Sequence, residues 1–223
     1  QIRTSVCYPG LNVKVVASHG GIQVGADGVT HQAIEDLAIM RSLPGMTVVH
    51  PADALSTRKA LRAIMEVRGP VYMRLCRNDV PDIYEEDDEF EIGKGRYWRC
   101  SPEDEASIIA IGAMVSKALS AADTLEALGI PTCVIEIHTL KPLDREIILE
   151  CAERTTRIVT VEDHNVIGGL GSAVAEVIAE AGLGVPLRRI GVQDVFAESG
   201  PPEALMEKYG LGVDQIVTAV QDT

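Results

Sequence analysis

With 223 residues, 46% of them hydrophobic, the chain can bury one large core or two smaller ones, which excludes a disordered polymer. A formal net charge of -13 with no basic patch repels nucleic acid and anionic lipid, so neither is expected as a partner. No apolar run of about 18 residues and no basic start leading into an apolar h-region occurs, so neither a membrane span nor a signal peptide is expected.

In chain order, QIRTSVCYPG reads as the end of a helix entering a loop, which implies a first domain that is incomplete at its start. NVKVVAS reads as a strand, followed by a helix from about His31, the strand MTVVH, a helix behind Asp53 and the strand PVYMRL. Asp53 stands at an N-cap position, and Leu61, Ile64 and Met65 recur behind it at helical spacing. This βαβαβ order, with nearly continuous apolar strands, predicts a parallel sheet covered on both faces. EEDDEFE, residues 85–91, lacks calcium-loop spacing and reads as a solvated linker.

The pattern then restarts. GKGRYWR and SIIAIGAMV lead into a helix near Ser116 that carries Leu119, Ala122, Leu125 and Leu128. TCVIEIH, a helix from Asp144 through Ile147, Ile148 and Cys151, RIVTV, the helix GGLGSAVAEVIAEAG and LRRIGV follow. The fold class expected is α/β, as two domains with mostly parallel sheets: residues 1–84, an acidic linker 85–92, and residues 93–223. Five cysteines (Cys7, Cys76, Cys100, Cys133, Cys151) are odd in number and form no C-x-x-C pair. They argue against a disulfide framework or a zinc site and fit a reducing cytoplasm.

In parallel α/β sheets, ligands collect beyond the carboxyl ends of strands. SHGGIQVGADGVTHQ, residues 18–32, lies at such a place. Gly25 and Gly28 allow tight turns, Asp27 offers a carboxylate to a hydroxyl, Thr30 is available as a cap, and His31 can move a proton near neutral pH. A histidine in a first helical turn also serves as a plain hydrogen-bonder. His19 flanks the same loop. Arg77, just past PVYMRL, either completes an anion site at this sheet edge or makes a surface salt bridge. Arg74, within the strand, calls for a structural partner. GGLGS at 168–172 lacks G-x-G-x-x-G spacing and reads as close helix–sheet packing. Glu162, Asp163 and His164 read as interface or loop-fixing residues, and His50 and His138 as structural.

GADGVTHQAIEDLAIMRSLPGMTVVHPAD, residues 25–53, resembles the pyrimidine-binding domain of transketolases, with its D-G-x-T-H-Q motif, a helix and a strand ending in P-A-D. PVYMRLCRNDVP is similar to the segment in which that family carries a phosphate-binding arginine. ALGIPTCVIEIHTLKPLD, TVEDHNVIGGLGSAVAEV and ESGPPEALMEKYGL resemble the family's C-terminal domain, so the resemblance covers essentially the whole chain. The pattern is most similar to the C-terminal subunit of a split, two-subunit transketolase.

The resemblance implies a thiamine diphosphate and Mg2+ enzyme that moves two-carbon ketol units between sugar phosphates, with the cofactor as electron sink. It implies catalytic roles for His31 and Asp27. Asp27 would recognise a substrate hydroxyl, and His31 would polarise oxygens and shuttle protons near the reacting carbons. His19 with Arg77 would bind the substrate phosphate. The family's diphosphate–metal motif, G-D-G followed by asparagines, has no counterpart here, which implies a partner subunit carrying the pyrophosphate domain. The glutamate that activates the aminopyrimidine would lie upstream of Gln1, so cofactor-binding residues are expected there and on the partner. A homodimer or larger assembly is expected, and a fragment inactive by itself.

Gly20 and Gly21 depart from the family, in which Asp-Ser usually follows the histidine matching His19; a more mobile loop is expected. Alternatives are an enzyme like 1-deoxyxylulose-5-phosphate synthase, one like the beta subunit of a 2-oxo acid dehydrogenase, or a non-catalytic dimerisation or regulatory module. The first usually has Asp-Arg where this chain has Ser18-His19.

Overall fold

β-Branched runs bounded by turns become strands, and the amphipathic stretches between them become helices. In the computed structural model, which describes residues 1–223, a short helical turn at Ile2–Cys7 precedes β1 (Lys14–Ala17), α1 (Asp36–Ser42), β2 (Thr47–Val49), α2 (Ala54–Glu66) and β3 (Val71–Arg74). The second half contributes β4 (Arg96–Arg99), β5 (Ala106–Ala110), α3 (Met114–Ala127), β6 (Thr132–Glu136), β7 (Thr139–Lys141) and α4 (Arg145–Arg154). It ends with β8 (Arg157–Asn165), α5 (Leu170–Glu180), β9 (Leu187–Val192), α6 (Pro202–Lys208) and α7 (Val213–Gln221).

The strands make two mostly parallel sheets, one ordered β1-β3-β2-β7 and the other β4-β6-β5-β8-β9, so the chain is two α/β units. Only the edge strands β7 and β4 run antiparallel to their neighbours. β7 is a feature that strand periodicity does not reveal: three residues from the second half pair with β2 and cover the edge of the first sheet. No helix is long and apolar enough to cross a membrane.

β5 and β6 are buried at every position, as strands covered on both faces must be. Alternation splits them: Ile108 and Ala110 face the core under α3 and α7, whereas Ile109 and Ile135 face a core shared with Leu37, Val48 and Tyr72 of the first unit. The two units are therefore joined by a continuous apolar interior.

Asp53 closes a capping box on α2, accepting from the Ser56 N–H at 2.7 Å while the Ser56 hydroxyl receives the Asp53 N–H at 2.9 Å. The buried stripe of α2 is Ser56, Ala60 and Ile64; Leu61 and Met65, expected in the core, point to solvent one position further round the helix. Leu128 is likewise exposed because α3 has ended before it. Of the acidic run, Asp88 is not free: it pairs with Arg96 at 2.6 Å.

Candidate active site

β1 and β3 are parallel neighbours, so the chain leaving their carboxyl ends meets at one sheet edge. There the loop after β1 is closed at its root. Gly20 N–H donates to the Leu75 carbonyl (3.1 Å), Gly21 N–H to that of Ala33 (2.7 Å), and Ala33 N–H to that of His19 (3.2 Å). Between these ties runs a 3₁₀ segment, Ile22–Asp27, kinked at Gly25. Gly25 and Gly28 have φ of 74° and 72°, which favour glycine, and a Cβ on Gly28 would lie 2.3 Å from the Ser199 hydroxyl. His19 takes φ 69° without being glycine, backbone strain of the kind that gathers at functional loops.

The helix expected from His31 begins instead at Asp36, and Thr30 caps nothing. Both backbone groups of Ala33 are used in the bridge to His19 and Gly21, which holds the chain extended there and delays the first helical turn. The Thr30 hydroxyl lies 2.9 Å from His31 Nδ1, and the Ser18 hydroxyl 2.8 Å from His19 Nδ1. Both imidazoles thus engage Nδ1 locally and leave Nε2 without a protein partner.

Arg77 donates to the Val24 carbonyl at 3.0 Å and pairs with Asp27 at 3.4 Å, with the two side chains 40% and 38% exposed. Asp27 and Arg77 are therefore brought together, half open to solvent, while His19 and His31 stand at the entry and exit of the same loop. A carboxylate and two imidazoles on one loop, with the half-exposed guanidinium that follows β3 set against it, can accept an anion, orient a hydroxyl and relay a proton.

Arg74 has the structural partner its place in the strand calls for and Asp163 fixes the loop as expected; what the sequence did not show is that the two meet beneath this loop. Arg74, 1% exposed, sits 3.3 Å from Asp36 and donates to the carbonyls of Ala33 (2.7 Å) and Asp163 (2.9 Å). Burial works against its charge, but the Asp36 and Asp163 carboxylates outweigh that effect and hold it more firmly protonated. Asp163 accepts the Ile22 N–H at 2.9 Å, tying the second unit to the loop. A Cβ on Gly20 would lie 2.0 Å from Arg74 Nε, and one on Gly21 1.9 Å from Asp163 Oδ2. The glycine pair thus seats the loop root against these charges by an approach that any side chain would block.

Glu162 and the buried histidines make their contacts within the fold. The Glu162 carboxylate accepts the Leu170 and Gly171 N–H groups at 2.7 and 2.8 Å and caps α5. Burial pushes its carboxyl up to about 7 against the pull of those amides. A Cβ on Gly169 would lie 2.0 Å from Glu162, so GGLGS is close packing. Burial draws His138 and His164 down to about 4 and holds His50 well below the usual range. His138 stacks on Phe90, their ring centroids 3.9 Å apart, and His50 Nδ1 faces the Arg74 carbonyl at 3.2 Å.

The first-turn amides of α2 and α5 are taken by Asp53 and Glu162, so neither of these helix starts offers its amides to a diphosphate.

Residues 1–82 match the family model described as transketolase, pyrimidine binding domain, and residues 95–216 match that of transketolase, C-terminal domain. The chain is 47% identical to the putative transketolase C-terminal section of Methanocaldococcus jannaschii, an alignment spanning 99% of this chain and 69% of that protein. It is 46% identical to a 6-deoxy-6-sulfo-D-fructose transketolase subunit of a Clostridium species, over 100% of this chain and 68% of that one. Among solved structures it resembles a split gene transketolase described as an inactive beta4 tetramer, with TM-score 0.92 and 50% identity over 99% of this chain and 70% of that one. A Campylobacter jejuni transketolase shares the fold, with TM-score 0.75 and 23% identity over 94% of this chain and 31% of that one.

Proposed function

The chain belongs to the transketolase family as a transketolase-type subunit, and from that premise we propose that it serves a split transketolase by handling sugar phosphates during two-carbon ketol transfer. One observation carries this reading: Arg77, leaving β3, forms a half-exposed pair with Asp27 of the loop that has His19 and His31 at its two arms. Arg77, with His19, receives the substrate phosphate. Asp27 takes a sugar hydroxyl, and His31 polarises oxygens and moves protons through its unpartnered Nε2.

Thiamine diphosphate and Mg2+, which the family implies, are assigned to a partner subunit with the pyrophosphate domain, because this sequence carries no G-D-G motif followed by asparagines to hold a diphosphate and its metal. The working unit is accordingly an assembly of both subunits with the present chain at least dimeric. Phe196 (77%) and Ile167 (58%) are exposed apolar side chains available to such contacts. We assign residues 1–84 and 93–223 to its two domains, 85–92 to the link between them, and the cytoplasm as its setting.

The test is His31→Ala in the complete two-subunit enzyme. Loss of a proton-handling group that acts as charge develops on the sugar oxygens should lower kcat by about 10²–10⁴, with KM changed far less. An unchanged kcat would favour the non-catalytic module instead.

A further inference from the structure

The edge strand β4 brings together three residues that the sequence spacing keeps apart. β4 pairs antiparallel with β6 through Arg96–Glu136, Tyr97–Ile135 and, past a bulge, Arg99–Val134. Cys100 follows the last residue of β4 and Cys133 precedes Val134 on β6, so the end of this ladder brings the two close. The chain then turns: Asp104 N–H donates to the Ser101 carbonyl at 3.2 Å, and the Asp104 carboxylate takes the Ser101 N–H at 2.6 Å. That turn carries the carboxylate back over the two sulfurs. The two Sγ atoms and one carboxylate oxygen all lie within 4.8 Å of one another.

We propose that Cys100, Asp104 and Cys133 form a binding site for one thiophilic divalent cation of the zinc class, clasping the edge strand β4 to β6. Tetrahedral coordination with metal–sulfur bonds of about 2.3 Å sets ligand atoms about 3.8 Å apart, so the three donors need to close by no more than about 1 Å. A void of about 10 Å³ lies among them, lined also by Cys151 and Arg154. That is the size of a single small ion or water, and it leaves a fourth coordination position open.

Charge balances as well. Two thiolates and a carboxylate around a dication leave one negative charge, and the Arg154 guanidinium, donating to the Ser101 carbonyl at 3.2 Å, stands beside it. Binding releases the two thiol protons to solvent; no redox step is involved. Cys133 is buried and Cys100 is exposed, so the cation enters from the Cys100 side.

The experiment titrates the fully reduced chain with cadmium chloride, read by ultraviolet thiolate-to-metal charge transfer, with zinc chloride as competitor. One equivalent should saturate the band, and zinc should displace it. Cys100→Ser should roughly halve the band, and both Cys100→Ser and Asp104→Asn should weaken binding at least tenfold, by analogy with the loss seen when coordination shells are damaged. Cys7→Ser should change neither. Both test positions lie at the surface side of the site, so circular dichroism of these variants separates lost binding from lost fold. Absence of a one-equivalent band, or a band unchanged in Cys100→Ser, would overturn the proposal. So would a chain that takes up no cadmium yet pairs Cys100 with Cys133 by exchange with a low-molecular-weight disulfide.

Discussion

Replacing Arg77 by alanine in the assembled enzyme should damage the use of phosphorylated sugars selectively. In this chain the guanidinium is held by Asp27 at 3.4 Å and the Val24 carbonyl at 3.0 Å, about 40% exposed. An ion pair so open to water is worth less than about 1 kcal/mol, so a phosphate dianion can displace Asp27 from it. Charge-assisted arginine–phosphate contacts contribute about 1.5–3 kcal/mol, which corresponds to a KM increase of roughly ten- to a hundredfold for phosphorylated substrates. Loss of the Val24 contact disturbs the loop for every substrate alike, so the readout is the ratio of KM values for a ketose phosphate and its unphosphorylated analogue. Arg77→Lys should fall between, keeping the charge but losing the planar fork. Asp27→Asn should impair both substrates through the lost hydroxyl contact and, by freeing Arg77, shift the ratio no more than about fivefold toward the phosphorylated sugar. Steady-state ketol-transfer assays on the four proteins decide the matter. An equal effect of Arg77→Ala on both substrates would make Arg77 a structural salt bridge and refute the phosphate assignment.

Arg74→Met should destabilise the chain by about 3–5 kcal/mol, because it strands the buried Asp163 and the partly buried Asp36 without their countercharge. Thermal unfolding should show a midpoint about 6–20 °C lower, and a shift of only a degree or two would mean these charges are satisfied without it. Glu136, fully buried against the Tyr84 hydroxyl (2.8 Å) and the Trp98 indole N–H (3.0 Å), is pushed by burial from 4.5 up to about 7. The unfolded chain therefore releases this proton first as pH rises. The associated stability is fully present below about 4.5 and is lost as pH climbs through about 7, amounting to about 3 kcal/mol. His138 and His164, drawn down to about 4, act in the opposite sense over an overlapping window, so wild-type stability need not follow Glu136 alone. Glu136→Gln isolates the effect. It should match wild type near pH 4, exceed it above pH 7 in urea unfolding, and disprove the burial account if the difference is independent of pH.

The parts of this molecule that repeat along the chain were the parts its sequence made plain. The strands around Val48, Tyr72, Ile108 and Val134 lie where β-branched runs indicate, and Asp53 and Asp144 start their helices as caps should. Features set by distant partners were not legible. α1 starts at Asp36 because Ala33 is held by residues that precede the loop, and β7 exists because an edge of the other sheet needed covering. In the site, side-chain chemistry singled out His19, Asp27, His31 and Arg77, and the fold joins Asp27 to Arg77 directly. Arg74 and Asp163 beneath them read only as structural residues. Their significance comes from Gly20 and Gly21, whose missing side chains allow the loop to close on them. Cys100 and Cys133, 33 positions apart, become neighbours only through the β4–β6 ladder.

In the proposed division of labour, this chain handles the sugar and a partner holds the cofactor's diphosphate and metal. Isothermal titration with thiamine diphosphate and magnesium, run beside a ketol-transfer assay, tests it on the chain alone and again after addition of the pyrophosphate-domain subunit. The predicted result is no measurable cofactor binding and no turnover by the chain alone, with both appearing in the mixture. Micromolar cofactor binding together with turnover by the isolated chain would contradict this division.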